Sequence, residues 1–272
     1  MKRPPILYLI VFLLFLPQKS ISQTYEELIE HAIAAAQADS LKQAETLYKM
    51  ALKLSPNDYR NVLVYHSLGH VEELMYWQNT SDTKMLEEVV YNYSQAINLQ
   101  PESALIRTSR ANLFLNLKHY DKAILDYSEI IKKDPSDIDA LNRRAFAYYE
   151  MRDYDKARAD YEAVLKINPT DYLSALGIVL VLQKTNKVSE AVTRIGFLIA
   201  AYPDRADLYV VRSSLYTDLN KLELALLDIN QAVSLESQNP QNLLHRADLY
   251  DKMNKHTQAR NDRRKAQKLL IR

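Results

Sequence analysis

Residues 138–171 read IDALNRRAFAYYEMRDYDKARADYEAVLKINPTD. Apolar residues recur there at helical spacing in two blocks, separated by the polar turn Arg152-Asp153-Tyr154-Asp155. Pro169 follows the second block, where it cannot continue a helical hydrogen-bond ladder. The stretch is therefore a helix–turn–helix hairpin. It is not alone: Pro101, Pro135, Pro169 and Pro203 stand 34 residues apart. A fixed period of that size marks a stack of repeated units.

Aligned on these prolines, the repeats fall near residues 25–58, 59–103, 104–137, 138–171, 172–205, 206–239 and 240–272. Position eight is small in most of them: Ala32, Gly69, Ala111, Ala145, Ser213 and Ala247, with Val179 the exception. Position twenty is alanine at Ala44, Ala123, Ala157, Ala191, Ala225 and Ala259. Position twenty-four is bulky: Tyr48, Tyr93, Tyr127, Tyr161, Ile195 and Ile229. Small residues on facing helices let two backbones approach, and the bulky residue fills the space beside them. One hairpin cannot bury its apolar faces alone, but a stack of seven shares a continuous core.

The pattern Tyr65-x2-Leu68-Gly69 in the second unit, and Ala157-x3-Tyr161 with Pro169 in the fourth, resembles the tetratricopeptide repeat family. The likeness extends over residues 25–272. It implies an all-α, right-handed superhelical solenoid of about seven helix–turn–helix repeats, with a concave groove lined by the first helix of each pair. Under the same resemblance, positions two, five, six, nine, twelve and thirteen face that groove. The candidate partner contacts are Thr108, Asn112, Asn142, Arg143, Phe146 and Tyr149. Asparagines donate and accept together, which suits a peptide backbone. Arg143 can take a carboxylate, and Phe146 and Tyr149 offer anchoring area. In the fifth unit this face turns apolar, with Leu173, Leu176 and Leu180. The lysine of the family's carboxylate clamp is missing, since Thr108 stands in its place.

Four units share an arginine at position seven and an aspartate sixteen residues later: Arg110 with Asp126, Arg144 with Asp160, Arg212 with Asp228, and Arg246 with Asp262. The planar guanidinium fork matches a carboxylate, so these pairs are expected to clip the two helices of a hairpin together, partly buried between them. Repetition argues for structure, because a catalytic site is needed once. The fifth unit departs, with Ile178 and Arg194. A second departure is length: Pro56 to Pro101 spans 45 residues, 11 more than the period. The excess is expected partly before Leu68 and mostly around Met75 to Met85. It reads either as a longer turn with Trp77 folded back on the stack, or as a loop that contacts a partner.

Met1 to Gln23 reads as a secretory signal peptide, removed after residue 22. Lys2 and Arg3 precede the apolar run Ile6 to Leu16, and Ser20-Ile21-Ser22 offers small residues for cleavage. Eleven apolar residues are too short for a bilayer span of roughly 20. The product is expected to be exported, periplasmic or secreted, with no membrane span. Loss of Lys2, Arg3 and Lys19 takes the formal charge from +1 to −2. Residues 252–272 hold eight Lys/Arg and one acid, a formal +7. That end reads as a polar cap on the stack or as a patch for an anionic partner.

The 272 residues include 47% hydrophobic and 25% charged side chains, which excludes a disordered chain. With no cysteine, thiolate metal sites and cysteine nucleophiles are excluded, and three glycines are too few for phosphate-cradling loops. The near-neutral charge gives no sign of nucleic-acid binding. His66 and His70 lie four apart, with Glu73 beyond, but Ser67 stands where a zinc-protease motif has glutamate. They read as a polar helix surface, and no metal or cofactor is expected. Asn79-Thr80-Ser81 and Asn92-Tyr93-Ser94 fit the glycosylation pattern, the second overlapping a packing residue. The reading is an exported, non-catalytic scaffold that binds a protein or peptide. The alternatives are a module for an anionic polymer or glycan, using the basic C-terminal helix, and a hydrolase on a helical solenoid.

Overall fold

A computed structural model describes residues 23–80 and 82–271. The expected signal peptide lies outside them. The described residues form fourteen α-helices and no strand. They pair as α1 (Tyr25–Gln37) with α2 (Leu41–Leu54), α3 (Asn61–Gln78) with α4 (Thr83–Leu99), and α5 (Ala104–Asn116) with α6 (Tyr120–Lys133). Next come α7 (Ile138–Glu150) with α8 (Tyr154–Ile167) and α9 (Tyr172–Lys184) with α10 (Val188–Ala201). The last pairs are α11 (Ala206–Asp218) with α12 (Leu222–Leu235), and α13 (Pro240–Lys252) with α14 (His256–Leu270). The described residues divide into two compact units, one ending at Ile106 and the other beginning at Arg107. In each, every hairpin packs on the next along the chain, as an all-α repeat solenoid requires.

The repeated small residues act as the close-approach points. Ala32, Ala44, Ala111, Ala123, Ala145, Ala157, Ala191, Ala225, Ala247 and Ala259 have no exposed surface. In the larger unit the core around α9 unites Ile178, Leu182, Ile195, Leu208 and Leu215 from α9, α10 and α11. Hairpin turns are made without glycine. Asp39, Lys118, Arg152, Asn186, Asn220 and Asn254, all at position fifteen, take φ of 54–63°. This left-handed residue ends the first helix and reverses the chain. Asparagine and aspartate tolerate it best among residues with a Cβ.

The second hairpin corrects both readings of its insertion. Most of the extra residues are helical: α3 has 18 residues and α4 has 17, against 13 and 14 in the fourth repeat, and the rest lengthen the connection before α3 and the turn after it. Only 79–82 connect them. Met75 packs on the core of the smaller unit, and Asp82 caps α4 by accepting from Met85 N at 2.9 Å. Apolar spacing therefore carries both helices past the usual turn. Trp77 sits in the last turn of α3, edge-on to Tyr76, and its Nε1 donates to Glu73 at 3.3 Å.

Candidate partner-binding site

The arginine–aspartate pairs set the frame on which the site is built. Arg144 Nε and Nη2 each donate to one Asp160 oxygen at 2.8 Å, joining α7 to α8. The same two-pronged geometry recurs at 2.7–3.0 Å where Arg110 meets Asp126, where Arg212 meets Asp228, and where Arg246 meets Asp262. The pairs are partly buried, as expected, and the burial falls mostly on the acids. Asp126, Asp160, Asp228 and Asp262 are all buried, because a short side chain on the second helix holds its carboxylate deep in the hairpin. The longer arginine reaches in from the first helix and keeps part of its stem at the surface. Asp126 differs again, since Arg107 Nη1 also approaches it at 3.5 Å.

The hydrogen bonds to aspartate hold the Arg144, Arg212 and Arg246 guanidinium groups above their usual pKa range, against the pull of burial. A further contact escapes sequence reasoning. Arg144 Nη1 reaches Ser128 at 3.1 Å and Arg246 Nη1 reaches Asn230 at 2.9 Å, both on the second helix of the preceding hairpin. These clips therefore also tie neighbouring hairpins. In the fifth repeat Ile178 is buried, and Arg194 turns outward to Glu190 at 3.2 Å.

The six proposed groove contacts separate into two groups. Asn142, Arg143 and Phe146 line one cavity of about 500 Å³, while Thr108, Asn112 and Tyr149 do not. Asn112 Oδ1 accepts from the Tyr127 hydroxyl at 2.6 Å. Tyr149 packs edge-on against Tyr154, with ring centroids 5.7 Å apart. Asn142 is buried. Its Oδ1 accepts from Ser174 Oγ at 2.7 Å, and its Nδ2 donates to Asp171 at 3.2 Å. The asparagine amides expected to meet a peptide backbone are thus engaged within the stack. A buried amide left unpaired would be costly, so neighbouring repeats satisfy it.

The cavity lies within the larger unit, on the first helices α5, α7 and α9. Leu115, Phe146, Leu173, Leu176 and Leu180 give it apolar walls, and Tyr161 and Gly177 also line it. Phe146 and Leu173 are 43% and 63% exposed. Asp139, Arg143 and Asp171 stand among the lining residues. Arg143 Nε donates to both Asp139 oxygens at 2.8–2.9 Å. Burial alone would depress the Arg143 pKa, but the pairing with Asp139 outweighs it and holds it raised.

In the smaller unit, Glu73 is held by the Tyr93 hydroxyl at 2.7 Å as well as by Trp77. His66 lies 5.9 Å from the Tyr93 ring, and burial, helped by His70, lowers its pKa. The carboxylates that do converge are Glu45, Glu72 and Glu88, and they surround the Lys49 ammonium at 2.8–2.9 Å. The lysine supplies the cation that this cluster needs. Asn92, of the second glycosylation pattern, is buried and donates to Glu72 at 2.6 Å.

At the basic end, Arg263 is tied to Asp248 and Asp251 at 2.7 and 2.6 Å. Lys255, Arg260, Arg264, Lys265 and Lys268 are exposed.

Comparison with known proteins joins these features. A tetratricopeptide repeat model matches residues 138–171, and a second model of the same repeat matches residues 206–239. No curated protein matches the sequence. Among solved structures, a tetratricopeptide repeat protein from Parabacteroides merdae ATCC 43184 is similar over 90% of this chain and 93% of its own, with 24% identity and a TM-score of 0.74. MamA from Desulfovibrio magneticus RS-1 aligns with 62% of this chain and 95% of its own, at 20% identity and a TM-score of 0.53. TTC0263, a thermophilic repeat protein from Thermus thermophilus, aligns with 61% of this chain and 91% of its own, at 18% identity and a TM-score of 0.54. These likenesses concern the fold. With two hairpins matched by the repeat model and the same hairpin recurring along the described chain, the protein is a member of the tetratricopeptide repeat family.

Proposed function

We propose that the chain is an exported, non-catalytic scaffold that binds a protein or peptide partner through the first-helix face of its larger unit. The cavity on α5, α7 and α9 carries this reading. It is open and mostly apolar, has a few placed polar groups, and falls in the range of roughly 300–1,000 Å³ usual for binding sites. Packed helices hold its walls, so binding orders little of the scaffold itself. The singular arginine–carboxylate pairs one would seek in an enzyme recur from repeat to repeat here and serve packing. Affinity capture from the native extract with the wild-type chain and with Phe146→Ala/Leu173→Ala tests the reading. Partners retained by the wild type are expected to be lost from the variant, whose exposed substitutions leave the helices intact. Equal capture by both proteins would contradict it.

A second reading is supported by α14. Lys255, Arg260, Arg264, Lys265 and Lys268 present five exposed cations with no acidic partner among the described residues. Such a face attracts polyanions through counterion release and depends strongly on salt. Binding to heparin is expected to weaken at least tenfold when Arg260, Arg264, Lys265 and Lys268 are replaced by glutamine. It is also expected to fall steeply between low and physiological salt. Salt-insensitive binding would remove this reading.

A further inference from the structure

The cavity arises where two repeat positions change residue while the 34-residue register holds. Between the third and fourth repeats, Asn112, Tyr127 and Arg143 fill the corresponding place. The Tyr127 hydroxyl donates to Asn112 at 2.6 Å, and Arg143 lies beside the same ring. One period of 34 residues later those positions carry Phe146, Tyr161 and Gly177. Phe146 has no acceptor to offer, and Gly177 has no side chain. Tyr161 leans into the space that results. A Cβ at position 177 would stand 2.5 Å from its Cε2, closer than real side chains approach. Tyr161 is only 6% exposed, yet among the described residues its hydroxyl has no hydrogen-bond partner. The hydroxyl is not sealed from solvent, so at the cavity wall it can donate to a ligand that brings an acceptor.

Charge gives the second constraint. Asp139 and Arg143 neutralise each other, at 2.8 Å. Among the described residues Asp171 has no such counterion: its Oδ1 accepts from Ser174 N at 2.8 Å and from Asn142 Nδ2 at 3.2 Å. The lining residues thus keep one uncompensated negative charge beside an apolar cavity that opens along the helix face.

We propose that this cavity is the anchor pocket for an extended polypeptide carrying a large apolar side chain and a nearby cation. Leucine, methionine or phenylalanine fills the space between Phe146, Leu173 and Leu180, against the Tyr161 ring that covers Gly177. A backbone carbonyl of the peptide accepts from the Tyr161 hydroxyl. A lysine or arginine close to the anchor meets Asp171, which fixes register more than it adds affinity. The inference rests on the partner-binding reading above and names the chemistry of the partner.

The test selects phage-displayed random dodecapeptides on the full chain, then measures one selected peptide by fluorescence anisotropy. Selected peptides are expected to share an apolar residue with Lys or Arg within about two positions. Phe146→Ala/Leu173→Ala is expected to weaken binding at least tenfold. Tyr161→Phe, which keeps the ring, is expected to cost three- to tenfold. Asp171→Asn keeps the oxygen that caps α9 and is expected to abolish the preference for Lys over Glu in the peptide. Leu125→Ala, on an exposed part of α6, is expected to change nothing. Peptides that lose affinity in Phe146→Ala/Leu173→Ala but lack an apolar anchor, or bind alike with Lys or Glu, would overturn this inference and leave the broader reading standing. Peptides indifferent to Phe146→Ala/Leu173→Ala would overturn both. Failure to enrich any peptide over a blank surface would overturn the inference, while the capture experiment judges the broader reading separately.

Discussion

Replacing Asp160 with alanine is expected to lower the unfolding free energy by about 3 kcal/mol. The side chains of Arg144 and Asp160 are 18% and 10% exposed, and both carboxylate oxygens are engaged. Removing the acid strands a guanidinium that keeps only Ser128 and the face of Tyr148, 5.9 Å away. The loss comes from that uncompensated charge, since an intact buried pair adds little over an apolar one. The chain contains its own demonstration: the fifth repeat has Ile178 in place of the arginine and is fully packed there. The double change Arg144→Met/Asp160→Leu is therefore expected to cost less than Asp160→Ala alone. Glu162→Ala is the control. Its side chain is 43% exposed and pairs along the helix with Arg158 at 2.7 Å, an arrangement worth about 0.5 kcal/mol or less. Urea titration of the three variants reads the differences directly. Equal destabilisation by Asp160→Ala and Glu162→Ala would contradict the role given to the clip.

Leu182→Ala is expected to cost about 3–4 kcal/mol, the usual effect of opening a cavity in a packed core. Leu182 has no exposed surface and belongs to the cluster that joins α9 to Ile195 on α10 and to Leu208 and Leu215 on α11. The distribution of the effect matters as much as its size. Each hairpin touches only its neighbours, so the loss should be local. Hydrogen exchange is expected to accelerate most in α9 to α11 and least in α13 and α14. Uniform acceleration through the larger unit would contradict nearest-neighbour stacking.

Much of this architecture is legible in the chain because it is written seven times. The alanines at positions eight and twenty, and the bulky residue at twenty-four, can be seen without any structure. So can the spacing from Arg144 to Asp160, because period and charge chemistry together place those residues on facing helices. How the burial is shared is less legible: the pairs read as partly buried, and the structure closes the hairpin over Asp126, Asp228 and Asp262 while the arginines keep some surface. What stays hidden is where a residue that follows the pattern finds its partner. Asn142 reads as a free amide, yet Ser174 and Asp171, in the next repeat unit and the turn before it, take up its oxygen and one amide hydrogen. The 11 additional residues of the second repeat read as a loop because a polar run, Gln78 to Asp82, interrupts them. Helix continues on both sides because Met75 and its neighbours still meet the core. The signal that does find the cavity is a comparison of repeats: Phe146 and Gly177 stand where Asn112 and Arg143 stand one period earlier.

The central claim is that a partner docks on the α7–α9 face. A photo-cross-linking amino acid placed at position 173 or at position 125 tests it most directly. The two native leucines are 63% and 68% exposed, so access alone does not separate them. Illumination in the native extract is expected to give a discrete adduct from position 173 that disappears with Phe146→Ala, and none from position 125. Adducts of equal yield from both positions, or from position 125 alone, would contradict the account.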